Sequence, residues 1–363
     1  MTHILHVVGA RPNFVKAAPV LRALAAKKGV RQTLVHSGQH YDVNMSDIFF
    51  RELGMPAPDV SLGVGSGTHA GQTAQVLLGL EPVLLERRPD IVVVYGDVNS
   101  TMAAALAAAK LHIPVAHVEA GLRSGDRAMP EELNRIITDA MSDLLFTPSK
   151  DGDANLLKEG VPREKIRFVG NAMIDTLIRM LPAAKRPSEP RLDDPYILAT
   201  VHRPSNTDDP KALAALMRAL TAVAKLAPVV FPIHPRTRAR LISAGFQAPA
   251  EGRLQLIEPL GYLEFLALQR DAALVITDSG GIQEETTYLG VPCLTIRTTT
   301  ERPVTLTAGT NKLVRDLSQL PREAAAALKR KRKKTKAPKL WDGKAGARVA
   351  AGLLAWLAQR RAA

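Results

Sequence analysis

The chain opens on an apolar run, His3-Ile4-Leu5-His6-Val7-Val8, that stops at Gly9. A short run of this kind ended by glycine predicts a strand. Pro12 to Ala26 follows with helical spacing and a proline in the first turn, where the missing N–H costs nothing. Gln32 to His36 reads as a second strand. Ile91-Val92-Val93-Val94-Tyr95 is continuously apolar, the pattern of a strand buried on both faces. Val98 to Leu111 reads as an Ala-rich helix, Pro114 to Val118 as a strand, Glu131 to Met141 as a helix and Leu144 to Phe146 as a strand. This alternation predicts a parallel, doubly wound sheet.

Four prolines, Pro182, Pro187, Pro190 and Pro195, then interrupt the pattern and read as a linker. Alternation restarts beyond them. Tyr196 to Val201, Val229 to Ile233, Leu254 to Ile257, Ala273 to Thr277 and Cys293 to Ile296 read as strands, and Pro210 to Leu226 as a helix. The expected fold is therefore α/β, with two Rossmann-like doubly wound domains, residues 1–178 and 179–344. Residues 345–363 form a closing helix, with Leu353, Leu354, Trp356 and Leu357 as its apolar stripe, placed to pack back on the N-terminal domain. Ligands of such sheets bind beyond the carboxyl ends of the strands, and two such domains facing each other make a central cleft. The chemistry is therefore sought just after each strand.

Composition narrows the function classes. The 363 residues are enough for two cores, and 46% hydrophobic with 23% charged residues is ordinary for a globular chain. Cys293 is the one cysteine, which excludes an intrachain disulfide and a cysteine zinc cluster. No apolar run approaches the ~18 residues of a membrane span. The N-terminus lacks a basic leader and a cleavage site, so the expected location is the cytoplasm, away from the membrane. Net charge is +13, which invites a nucleic-acid reading. Eight basic residues and no acid, however, lie between Lys329 and Lys339, and without them the charge falls to about +5. The run follows an Ala-rich helix and ends at Ala337-Pro338, so it reads as a solvated loop rather than a specific nucleic-acid site.

After the first strand, Gly9-Ala10-Arg11-Pro12-Asn13-Phe14-Val15-Lys16 is no Gly-x-Gly-x-x-Gly turn. It offers Arg11 and Lys16 beside a helix N-terminus, either as an anion site or as a surface pair. Asp97 follows one strand, Glu119 the next, and Glu131 opens a helix. Carboxylates brought together push each other's pKa values apart, which supplies both an acid and a base near neutral pH. The plainer alternative for each is a helix cap or an ion pair with Arg123, Arg127 or Arg135. In the second half, His202-Arg203 and His234-Pro235-Arg236 sit at strand ends, as core histidines or as a phosphate-binding rim. No pair of histidines on a predicted helix suggests a metal site. Thr277-Asp278-Ser279-Gly280-Gly281, followed by a helix carrying Glu285, is a Gly-rich turn that exposes backbone N–H groups to a diphosphate, with Glu285 placed to hold a ribose diol. Arg302 adds a further cation.

Taken together these stretches resemble the non-hydrolysing UDP-N-acetylglucosamine 2-epimerases, a branch of the GT-B superfamily. The resemblance rests on Gly9-Ala10-Arg11-Pro12 with Lys16, Gly38-Gln39-His40, Gly96-Asp97, the run His117 to Arg123, Pro130-Glu131-Glu132 with Asn134-Arg135, Val169-Gly170-Asn171, His202-Arg203, Asp278 to Glu285 and Thr299 to Pro303. It implies interconversion of UDP-N-acetylglucosamine and UDP-N-acetylmannosamine without a cofactor or metal, through elimination of UDP to 2-acetamidoglucal and its re-addition. It implies Asp97, Glu119, Glu131 and His202 as catalytic residues. Arg11, Lys16, Phe265, Ser279, Gly280, Gly281, Glu285 and Arg302 are implied as ligands of the UDP-sugar, and a homodimer as the assembly. Gln39, His40, Arg203 and His234 match an allosteric substrate site, but Ser66-Gly67 replaces the Arg-Gln pair that such members carry. Asn13 stands where many members have Glu. The stretch His36 to Asp42, with Asn44-Met45-Ser46, is similar to 2-epimerases of UDP-2,3-diacetamido uronic acids, the alternative substrate class. A GT-B glycosyltransferase is the remaining alternative.

Overall fold

The computed structural model describes residues 1–38, 50–188, 195–246, 253–330 and 336–362. The chain divides into two compact units, residues 1–179 with 339–363 and residues 180–338. Unit 1 is built on seven parallel strands: β1 (Thr2–Val8), β2 (Val30–His36), β3 (Val60–Ser61), β4 (Ile91–Tyr95), β5 (Val115–Val118), β6 (Leu144–Thr147) and β7 (Ile166–Phe168). Their order is β3-β2-β1-β4-β5-β6-β7. β4 lies between β1 and β5, which explains its unbroken apolar sequence: all five residues are buried. The order reverses direction between β1 and β4, the position where doubly wound sheets open a crevice at the strand ends.

Unit 2 repeats the plan with β8 (Ile197–Thr200), β9 (Val229–Pro232), β10 (Leu254–Ile257), β11 (Leu274–Thr277), β12 (Cys293–Thr295) and β13 (Asn311–Leu313). Their order is β10-β9-β8-β11-β12-β13, again all parallel, with the reversal between β8 and β11. Its core joins Leu213, Leu216 and Leu220 of the helix Pro210–Ala224 to Ile197, Phe231 and Ile276 of the sheet.

The helix before β4 and the closing helix are among the elements that differ from the sequence reading. A nineteen-residue helix, His69–Arg87, is absent from the periodicity because Gly71, Gly79 and Pro82 interrupt it. Thr68 caps it by accepting the Gly71 N–H at 3.1 Å, and Val76, Leu80 and Leu84 are buried along it. The closing helix Ala345–Ala362 packs on the helix Arg11–Ala25 of unit 1. Its buried face is Ala345, Gly346, Val349, Ala350, Leu353 and Leu357. Trp356 is only half-buried, with the Arg360 guanidinium 5.3 Å above its ring. Small residues permit close helix contact, so they face inward and the indole rides at the edge. No helix among the described residues is long and apolar enough to cross a membrane.

Candidate active site

In unit 1 the candidate residues converge on the carboxyl ends of β1, β4 and β5. The helix Arg11–Ala25 follows β1 directly, and its N-cap, Ala10, has no capping side chain. Asn13 substitutes from within the first turn. Its Oδ1 accepts the N–H groups of Gly9 and Ala10 at 2.9 and 3.1 Å, and its Nδ2 donates to the Tyr95 carbonyl at 2.6 Å. Asn13 thereby ties the β1 turn to the end of β4. A glutamate there has no N–H to give Tyr95, so the departure from the family residue is matched by a local bond that requires the amide.

Lys16, one turn further on, is buried and donates to Glu119 Oε2, which is buried too. Lys16 is therefore engaged by a carboxylate within unit 1. Glu119 ends β5 in a left-handed conformation, φ +78°, where a side chain costs roughly 1–2 kcal/mol. Its N–H and that of Ala120 both donate to the Phe146 carbonyl of β6 at 3.0 Å, which holds the turn in place. Gly96 ends β4 at φ +65°. A Cβ there would lie 2.7 Å from Lys16 Nζ and 3.2 Å from Glu119 Oε2, so only glycine leaves room for the pair.

Asp97, next in the chain, is bound by Arg135, whose Nη1 donates to Asp97 Oδ2 at 2.5 Å. Of the ion pairs open to Asp97 at the sequence level, the structure forms the one with Arg135. Arg135 is 1% exposed and also donates from Nε and Nη2 to Glu132 Oε2 at 3.0 and 2.6 Å. Burial alone would raise the Glu132 pKa, but the Ser124 and Gly125 N–H groups and the Arg135 guanidinium hold it below the ordinary range. Asn134 donates to the Asp97 carbonyl at 2.9 Å. Glu131 occupies the first turn of this helix, Pro130–Met141, and is half-buried. The helix that carries Glu131 is thus tied to Asp97 by two neighbouring side chains. Arg11 is partly buried; burial lowers its pKa and Glu52 opposes the shift.

Two residues to which the sequence reading gave no role brace these turns. His117 on β5 is fully buried, with Nδ1 2.6 Å from Asp139 Oδ1 and Nε2 2.8 Å from the Gly96 carbonyl. Asp139 Oδ2 accepts the Gly121 N–H at 3.1 Å and lies 2.7 Å from Arg123 Nη1. The available signal was a pair of polar residues inside otherwise apolar or helical runs.

Unit 2 gathers its candidates at the ends of β8 and β11. The helix Gly280–Leu289 starts at Ser279, whose side chain does not cap it. Behind that turn lies a buried charge network. Arg302 Nη1 donates to Glu301, Arg302 Nε lies 3.0 Å from Glu284 Oε2, and Arg297 Nη2 donates to Glu301 Oε2 at 2.7 Å. A Cβ at Gly280 would sit 2.4 Å from Arg302 Nη1, so the glycine admits the guanidinium. Arg302 thus supports the turn from beneath, its charge already met by two acids. Glu285 is buried, and burial raises its pKa to about 7; the Tyr262 hydroxyl donates to its Oε1 at 3.2 Å and acts the other way.

Asp278 is fully buried and staples the β8 end to the β11 end, accepting from the N–H groups of His202 and Arg203 and from Asn206 Nδ2 at 2.9–3.2 Å. The His202 side chain itself is 59% exposed, its Nδ1 3.3 Å from Asp278 Oδ1. Arg203 Nε donates to the Asp278 carbonyl at 3.0 Å. His234 caps the helix Pro235–Ser243, accepting the Arg236 N–H at 3.2 Å. Phe265 packs half-buried beside Tyr196 and Leu268. Ser66 and Gly67 precede the cap of the helix His69–Arg87. Gln39 and His40 lie outside the described residues, as do Tyr41, Asp42, residues 44–46 and residues 331–335 of the basic run. Among the described residues no group of three His, Cys, Asp or Glu side chains is arranged to hold a metal ion.

Known proteins resemble this chain along most of its length. The sequence model of the UDP-N-acetylglucosamine 2-epimerase family matches residues 22–354. The UDP-N-acetylglucosamine 2-epimerase of Methanocaldococcus jannaschii is 42% identical over 354 residues, covering 94% of this chain and 96% of that protein. Its crystal structure in complex with UDP-GlcNAc and UDP superposes with a TM-score of 0.91, covering 98% of this chain and 100% of that one at 41% identity. The UDP-2,3-diacetamido-2,3-dideoxy-D-glucuronate 2-epimerase of Pseudomonas aeruginosa is 46% identical over 314 residues, 86% of this chain and 88% of that protein. With two doubly wound parallel sheets of GT-B type and a match along most of its length, the chain belongs to the UDP-N-acetylglucosamine 2-epimerase family.

Proposed function

We propose that this protein interconverts UDP-N-acetylglucosamine and UDP-N-acetylmannosamine without hydrolysis. The observation that carries the reading is the pair Asp97 and Glu119, at the ends of the neighbouring strands β4 and β5 and each backed by a buried cation. A carboxylate takes the C2 proton of the sugar; the C–H electron pair forms the C1=C2 bond. The C1–O bond breaks, and its electrons leave on the UDP oxygen. The bound 2-acetamidoglucal then receives a proton at C2 from the opposite face while UDP re-adds at C1, which inverts C2 alone. Two proton-transfer groups on different sides are required, and Asp97, Glu119 and Glu131 supply them. Unit 2 supplies the nucleotide ligands: the uncapped N-terminus at Ser279-Gly280-Gly281 for the diphosphate, Glu285 for the ribose and His202 at the β8 rim. No cofactor enters this chemistry.

The 46% identity to the diacetamido-uronate enzyme supports a second substrate class on the same chemistry. Incubation with each UDP-sugar, followed by proton NMR of the anomeric region, decides between them. Formation of the N-acetylmannosamine isomer supports the first reading, and turnover of the uronate alone the second. Failure to convert either sugar overturns both.

The working unit in this reading is a homodimer in the cytoplasm. Leu133, Ile137 and Met141 form an exposed stripe at spacing four on the helix Pro130–Met141, and Leu78 and Leu85 are exposed on the helix His69–Arg87. Both helices pack against Asn99–Lys110, so these apolar side chains belong to one layer of unit 1.

A further inference from the structure

Asp139 is 2% exposed, yet neither of the proton-transfer carboxylates uses it. Its two oxygens reach two different strand-end turns. Oδ1 meets His117 Nδ1 at 2.6 Å, and through the opposite ring nitrogen His117 reaches the Gly96 carbonyl at 2.8 Å. Oδ2 accepts the Gly121 N–H at 3.1 Å and meets Arg123 Nη1 at 2.7 Å. Gly96 immediately precedes Asp97, and Gly121 follows Glu119 by two residues. Both glycines are left-handed, φ +65° and +81°, so each turn depends on contacts outside its own strand for its course. Both ring nitrogens of His117 face oxygen atoms, one on each side of the ring. A chain of bonds thus runs from the turn that bears Asp97, through the imidazole and one carboxylate, to the turn that bears Glu119. Burial by itself would raise the Asp139 pKa, but His117 and Arg123 hold it below the ordinary range, which keeps both oxygens acceptors.

We propose that His117 and Asp139 are positioning residues that set the separation of Asp97 and Glu119 by clamping the Gly96 carbonyl and the Gly121 N–H to one buried carboxylate. This rests on the reading of Asp97 and Glu119 as the proton-transfer pair. Neither residue moves a proton to the sugar; they act through the two turns, and a displacement near 1 Å at such a pair costs about a hundredfold in rate.

The two amide replacements of His117 separate this role from simple charge burial. Asparagine places an N–H near the position of Nδ1, keeping the bond to Asp139 and releasing Gly96. Glutamine places one near Nε2, keeping the Gly96 carbonyl and releasing Asp139. For each variant kcat, KM, UDP affinity by calorimetry and the urea midpoint are measured on the full chain. Each variant breaks the chain between Gly96 and Asp139, so we expect both to lose at least about tenfold in kcat with UDP affinity within twofold. Either variant turning over like the parent overturns the proposal. So does a loss of kcat in both variants that only follows their unfolded fraction. If His117→Asn does not fold, Asp139→Asn serves: a loss of kcat of at least about tenfold at unchanged UDP affinity supports the clamp, and parental kcat refutes it. A parent without epimerase activity on either sugar refutes the functional reading itself; an active parent with an active His117→Asn refutes only this inference.

Discussion

Replacing Gly96 by alanine separates backbone strain from the geometry of the proposed proton-transfer pair. Two costs follow from the structure. The residue sits at φ +65°, where an alanine pays roughly 1–2 kcal/mol. The new Cβ would also lie 2.7 Å from Lys16 Nζ and 3.2 Å from Glu119 Oε2. Lys16 is 4% exposed and Glu119 6%, so neither can swing into solvent, and the pair must shift within the core. A shift approaching 1 Å at a catalytic carboxylate lowers the rate about a hundredfold. Gly29→Ala is the matched control: φ is +75°, but nothing lies within 4 Å of its Cβ. Gly29→Ala should lose about 1–2 kcal/mol in urea unfolding, and Gly96→Ala more than that because its Cβ also displaces the buried pair. Only Gly96→Ala should lose kcat, read by NMR from the rate of epimer formation. A Gly96→Ala enzyme that turns over like Gly29→Ala would refute the claim that this turn shapes the site.

Further outcomes follow from the same structure. Asp97→Asn and Glu119→Gln should fold and bind UDP but lose roughly 10²–10⁴ in kcat; near-parental turnover removes that residue from the mechanism. Glu285 titrates at about 7 in the fold against an ordinary 4.5, so the folded state holds its proton more tightly and stability falls as pH rises through that interval, by on the order of 3 kcal/mol. Glu285→Gln should flatten that fall in a urea-midpoint series. On the proposed role of this carboxylate as acceptor of the ribose hydroxyls, UDP affinity of the parent should weaken below pH 7, while the variant shows no such slope. Ile137→Glu, which places a charge in the exposed stripe, should shift the light-scattering mass from dimer to monomer; an unchanged dimer locates the interface elsewhere. Replacing the eight basic residues of 329–339 by Ser or Gln should leave kcat/KM within about threefold, and a collapse at intact fold would show that the run serves the site.

Much of the fold was legible because strand-to-helix alternation reports directly on layer packing. The run Ile91 to Tyr95 announced a central strand, and it is one. The helix His69–Arg87 was hidden because its glycines and Pro82 erase the periodicity that burial of Val76, Leu80 and Leu84 restores in three dimensions. Candidate site residues were legible where an acid follows an apolar strand, as Asp97 and Glu119 do. Their partners were less so. Lys16 read as a cation offered to an anion, whereas it is held by Glu119; Arg302 read likewise and is clamped by Glu284 and Glu301. Pairing between residues a hundred positions apart is set by the tertiary fold and leaves no local pattern. Asp139 shows the same limit: within its helix it looks like one more polar position, and only the sheet brings His117 to it.

Deuterium incorporation at C2 tests the central claim most directly. The protein is incubated with UDP-N-acetylglucosamine in heavy water, and both isomers are followed by proton NMR with a quench for free 2-acetamidoglucal. The elimination and re-addition account predicts that every N-acetylmannosamine product carries deuterium at C2, and that Asp97→Asn and Glu119→Gln both slow its appearance. Epimerisation that keeps the C2 proton, or no conversion with exchange absent, would contradict it.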